Sequence, residues 1–124
     1  MTQQSGQSSK VAVNLSELLA RVENDHELLR ELIDIFKKDF PRLLQSLRQS
    51  VGRGEMKNVE TTSHALKGML SGLAVTRAAA TASQLEQMGR EGKTSGLTDV
   101  LTLLESEVAD LLPELDAYAE EAKP

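Results

Sequence analysis

"LTDVLTLLESEVADLLPELDAY", Leu97 to Tyr118, places Leu97, Leu101, Leu104, Val108, Leu111, Leu115 and Tyr118 at four- and three-residue steps. Side chains at those steps share one face of an α-helix, and here the pattern holds for more than three turns. No part of the chain shows the two-residue alternation of a half-buried strand, so the fold reads as all-α. Pro113 falls inside this last helix and predicts that its final turns bend outward or fray.

Upstream, "GREGKTSG", Gly89 to Gly96, reads as a glycine-rich loop. Before it, a helix from about Thr76 to Arg90 carries Ala78, Ala82, Leu85 and Met88 on one face, where small side chains permit close packing. Another runs from about Glu55 to Leu73, preceded by a turn at "VGRGE", Val51 to Glu55. A long helix starts at Asp25, a good N-cap, with Leu28, Leu29, Leu32, Ile35, Phe36, Phe40, Leu43, Leu44 and Leu47 expected inward. Pro41 predicts a kink or break within it. A short helix capped by Asn14 and striped by Leu15, Leu18, Leu19 and Val22 comes first, as a lid. The simplest architecture is an antiparallel up-and-down four-helix bundle with a short additional N-terminal helix. Residues 1–10 read as a disordered polar leader and 11–124 as the helical bundle domain.

The 124 residues suffice for one core, built mainly of leucine because the aromatics are only Phe36, Phe40 and Tyr118. A net charge of -5, without a basic block or stacking platform, argues against nucleic acid as a partner. There is no cysteine, which excludes disulfides, thiolate nucleophiles and cysteine metal sites. The N-terminus lacks a signal-peptide core, and no apolar run approaches the roughly 18 residues of a membrane span. A soluble cytoplasmic protein is expected.

"TTSHALKGMLSGLAV", Thr61 to Val75, raises a different question, because an interior helix glycine costs roughly 1 kcal/mol relative to alanine. Met56, Val59, Ser63, Leu66, Leu70 and Leu73 define the buried stripe of this helix, and His64 falls roughly 130° from its centre, on the solvent side. Glu60, His64, Lys67, Gly68 and Ser71 line one flank. The missing side chain at Gly68 leaves the imidazole edge open to another protein, and the Lys67 ammonium can swing toward an anion carried on His64. Ala65 and Met69 lie on the other flank and could extend an apolar docking rim.

Other chemistries fit less well. A metal centre lacks ligands, with two histidines far apart and no paired carboxylate–histidine motif. Ser63 points about 100° away from His64, so no serine–histidine–acid triad forms. His26, in the first turn of the long helix, has neither glycine nor lysine at matching spacing and reads as a solvated surface residue. What remains is histidine as nucleophile, an imidazole type largely neutral at cellular pH with a lone pair to offer phosphorus. No independent kinase or hydrolase machinery is visible.

At "HALKG", His64 to Gly68, continued by "MLSGLAV", the chain resembles the histidine-containing phosphotransfer (HPt) domain. "DHELLRELIDIFKKDFPRLLQSLRQSV" is similar to that family's long second helix, and "QLEQM", Gln84 to Met88, to its fourth-helix element. The resemblance implies a phosphorelay carrier of two-component signal transduction. His64 would accept a phosphoryl group from a receiver-domain aspartyl phosphate and pass it to another receiver aspartate, with Lys67 steadying the phosphoryl oxygens and Gly68 giving access. It implies receiver domains, and a hybrid histidine kinase, as partners of a monomer, with Mg²⁺ on the receiver and no intrinsic cofactor. Ala65, Met69 and Ser71 are the expected docking positions. Two departures stand out: Ala74 where the family usually has glycine, and Met69 where a small residue is common. The alternative is a receiver-binding adaptor bundle that carries no phosphate. A histidine-kinase dimerisation domain fits less well, since Ala65 stands where that family has an acidic residue.

Overall fold

Five helices make up the computed structural model, which describes residues 15–121: α1 (Leu15–Arg21), α2 (His26–Arg53), α3 (Met56–Gly72), α4 (Thr76–Glu91) and α5 (Leu97–Glu121). No strand occurs among the described residues. The expected leader at 1–10 and the Asn14 cap lie outside them. Contacts link α2 to α3, α3 to α4, α4 to α5 and α5 back to α2, with the α3–α4 pair the most extensive.

The leucine spacing of α5 does what it predicts: Leu97, Leu101, Leu104, Val108, Leu111 and Leu115 are all buried, and Tyr118 packs partly against the same core. Its last turns do not fray, because the helix runs through Pro113 to Glu121. Nor does Pro41 break α2. Both prolines are exposed, as are Lys37 and Ala109 four residues before them. The carbonyls that lose a partner therefore lie on the wet side, where water can satisfy them.

Asp25 caps α2 as expected, its carboxylate accepting from the Leu28 amide at 3.0 Å. Gly54, at φ +70°, closes the other end of the helix. The inward face needs correction. Leu28 and Ile35 are 39% and 52% exposed, whereas Ile33, absent from the expected stripe, is buried with Leu29, Phe36, Phe40 and Leu47. Leucines and isoleucines occupy more than one row of α2, and the core takes only the arc that faces α3 and α5. Phe36 and Phe40 stack with ring centroids 5.1 Å apart.

Gly89 is a second correction. It lies inside α4, not in a loop, and a Cβ there would stand 2.6 Å from the Glu60 amide nitrogen of α3 and 3.0 Å from the Met56 carbonyl. Together with buried Ala78, Ala82 and Leu85, it lets the two helix backbones nearly touch.

α3 ends at Gly72 with Leu73 as its C-cap, after which Ala74 adopts φ +61° and the Val75 amide returns to the Leu70 carbonyl at 2.9 Å. That is the left-handed stop glycine would make without strain, so the alanine keeps the expected helix end at an energetic cost. α1 buries Leu18, Val22 just beyond it is buried too, and the Arg21 guanidinium donates to the Ser71 carbonyl, pinning the short helix against the end of α3.

Candidate functional site

Val59, Ser63, Leu66, Leu70 and Leu73 are fully buried, and they fix the rotation of α3. His64 is thereby turned outward, its side chain 67% exposed. Gly68 is exposed one turn further on, and a Cβ built on it meets nothing within 4 Å; Gly72, the next step along the same row, is equally free. No packing among the described residues calls for glycine at either place. From His64 to the end of α3, that row carries no side chain, and a partner could bring its own backbone close.

Lys67 is a third exposed, and its ammonium sits 2.7 Å from Oε1 of Glu86 on α4. Glu86 is the residue that sequence reasoning missed. Its side chain is only 7% exposed, and its Oε2 lies 2.9 Å from Nδ1 of His64. Arg90, one turn along α4, places Nη2 3.1 Å from the same Oε2 and Nε 3.1 Å from Glu60 of α3. Lys57 reaches the other Glu60 oxygen at 3.7 Å. A buried carboxylate thus holds one imidazole and two cations. The Lys67 hydrogen bond keeps the Glu86 carboxyl below the usual carboxylate range, against burial, which pushes it up; the His64 hydrogen bond adds to the lowering. The signal was in the sequence: Ala78, Ala82 and Glu86 follow at four-residue steps on α4, and a carboxylate ending an apolar row must find partners.

Lys57, Glu60, Thr61, His64 and Glu86 line an open hollow of about 310 Å³ beside the imidazole. Of the expected docking positions, Ala65 and Ser71 are exposed, while Met69 is half-buried and packs against the core, so it serves helix packing as well as the surface. Ser63 is fully buried, which removes it from the surface chemistry, and among the described residues its hydroxyl has no hydrogen-bond partner. His26 is exposed at the first position of α2 and shares no bond with the cluster around Glu86. Among the described residues no group of three or more histidines and carboxylates is placed to hold a metal, and no helix is long and apolar enough to cross a membrane.

A family model described as "Hpt domain" matches residues 31–118. Among solved structures, the chain is similar to the crystal structure of histidine-containing phosphotransfer protein B from Pseudomonas aeruginosa PAO1, at 21% identity and a TM-score of 0.83. The alignment covers 89% of this chain and 96% of that one, and what it shows is the fold. A comparison with curated proteins gave no match.

Proposed function

We propose, on the premise that this chain belongs to the Hpt domain family, that His64 is its phosphoryl acceptor. Hpt domains exchange phosphoryl groups with receiver domains, so the chain is a phosphorelay carrier of two-component signal transduction. One observation carries the assignment to His64: an imidazole 67% exposed on the outer wall of α3, with an unfilled turn at Gly68 beside it.

Phosphoryl transfer between two proteins needs in-line approach and charge neutralisation more than elaborate chemistry. An exposed ring nitrogen supplies the nucleophile, and Gly68 gives the receiver's aspartyl phosphate room to approach. Lys67, held on Glu86 at rest, has a flexible stem and can turn its ammonium to the phosphoryl oxygens once they arrive. The receiver brings Mg²⁺ and the acidic pocket. Ala65, Met69 and Ser71 form the docking edge around the site. A hybrid histidine kinase is a further partner in this reading, and the chain works as a cytoplasmic monomer.

The antiparallel up-and-down four-helix arrangement of α2 to α5, with α1 as an added N-terminal helix, belongs to the same reading. Ion pairs support it: Lys37 meets Asp116 at 2.5 Å and Arg48 meets Glu105, so moving up α2 means moving down α5. Glu60 with Arg90 and Lys67 with Glu86 repeat the pattern between α3 and α4.

Incubating the chain with a phosphorylated receiver should label it with acid-labile, base-stable phosphate, and His64→Gln should take up none. Unchanged labelling of that variant would remove His64 from the role. Full receiver binding without phosphate uptake by the unaltered chain would instead assign an adaptor function.

A further inference from the structure

We propose that the hollow on the N-terminal side of His64 receives the phosphoryl group, with the Lys57 ammonium and the Thr61 hydroxyl as its contacts. This rests on His64 being the acceptor, and it adds two residues to Lys67 and Gly68. Lys57, Thr61, His64 and Gly68 follow at four- and three-residue steps and share the outward face of α3, all of them exposed. Helical side chains lean toward the N-terminus, so the imidazole overhangs the turn of Thr61 and not that of Gly68. The hollow of about 310 Å³ lies on that same side: from α3 it is lined by Lys57, Glu60, Thr61 and His64, none of them later than the imidazole, and Glu86 of α4 closes it. A group carried on the ring stands at its mouth.

Lys57 is 89% exposed and loosely engaged, its ammonium 3.7 Å from Oε1 of Glu60. An exposed pair of that kind contributes little, so the ammonium can leave it for a phosphoryl group at small cost. Glu60 keeps a counter-charge when that happens, because Nε of Arg90 stays 3.1 Å from its other oxygen. Lys67 is held more closely, 2.7 Å from Glu86 and a third exposed. The Thr61 hydroxyl donates to the Lys57 carbonyl at 3.0 Å. The helix ladder already engages that carbonyl, so the O–H can rotate and donate to a phosphoryl oxygen instead.

In the forward step a ring-nitrogen lone pair forms the N–P bond while the P–O bond to the receiver's aspartate breaks, its electron pair staying on that carboxylate. The ring's existing N–H takes no part, so no proton moves. The phosphoryl oxygens then meet Lys57 and Thr61 on one side of the imidazole and Lys67 on the other. Two ammonium groups share the charge of the transferred group, and transfer onward reverses both bond changes.

If Lys57 served only to greet the receiver, the phosphorylated chain by itself would not sense its loss, and the test separates the two roles. The full chain is phosphorylated by a receiver charged with acetyl phosphate, freed of the receiver, and followed by phosphorus-31 NMR across pH. Lys57→Met and Thr61→Val should each move the ionisation of the phosphoryl group to higher pH, because a cation and a donor both favour its more charged form. Uptake from the receiver should slow about 5-fold in Lys57→Met, the upper end for an exposed charge contact, and about 3-fold in Thr61→Val. Lys93→Met makes the same change in net charge on the exposed loop after α4 and should leave both readings unaltered. Circular dichroism fixes the folded fraction of each variant. An unmoved ionisation in either Lys57→Met or Thr61→Val would overturn the proposal, whether or not uptake slows, and so would an equal shift in Lys93→Met. These outcomes are read on a chain that still carries phosphate, so a His64→Gln variant that labels normally would overturn the acceptor reading separately.

Discussion

Gly68 and Gly89 are both interior helix residues, and the structure gives them opposite reasons to be glycine. Around Gly89 the chain fills the space with its own backbone, Glu60 and Met56 standing where a side chain would go. Around Gly68 none of the described residues comes within 4 Å of where a Cβ would stand. One glycine closes α4 onto α3; the other leaves α3 open to an outside molecule. A helix glycine therefore reports a close approach, but only the surrounding structure says whether the approaching body belongs to the same chain.

The contrast breaks most visibly at Gly89. Gly89→Val should destabilise the fold by about 3 kcal/mol, the upper end of ordinary overpacking, because the Cβ meets backbone that cannot rotate away. Urea unfolding measures it, and a midpoint matching that of the unaltered chain would show that α3 and α4 can separate freely. Next in size is Gly68→Gln, which should slow phosphoryl uptake from a receiver about 10-fold, or about 1.4 kcal/mol in barrier, with helicity intact. A normal rate would contradict the role of the open turn. Ala74 supplies the converse case, an alanine in a conformation that suits glycine. Ala74→Gly should raise stability by about 1 kcal/mol, seen as a higher melting temperature, since it relieves φ +61° and removes only a methyl group. The smallest effect is expected from Gly68→Ala, a gain of about 0.4–1 kcal/mol from helix propensity alone, opposite in sign to any substitution at Gly89.

How much of this the sequence shows depends on the range of the interaction. The α5 stripe, the Asp25 cap and the outward rotation of His64 follow from spacing along one helix, and they were legible. Gly89 was not: within its own segment it reads as a breaker, and only the backbone of α3 makes it necessary. The choice between Ile33 and Ile35 on α2 has the same origin, since both rows are apolar and neighbouring helices select one. Pro41 did not break its helix and Pro113 did not fray the end of its own, because a proline's effect depends on which side of the helix the orphaned carbonyl faces. At the site, His64, Lys67 and Gly68 could be grouped from local spacing. Glu86, 22 residues from His64 in sequence, needed the α3–α4 register.

The contact between Arg21 and the Ser71 carbonyl has a practical side. Because Leu18 and Val22 are buried, trimming the chain to begin at His26 would strip two apolar plugs, each worth about 2 kcal/mol, from a fold whose whole margin is of order 5–15 kcal/mol. Shortened versions made for crystallisation or for fusion to a reporter should keep α1, or the weakening they display will be an artefact of where they were cut.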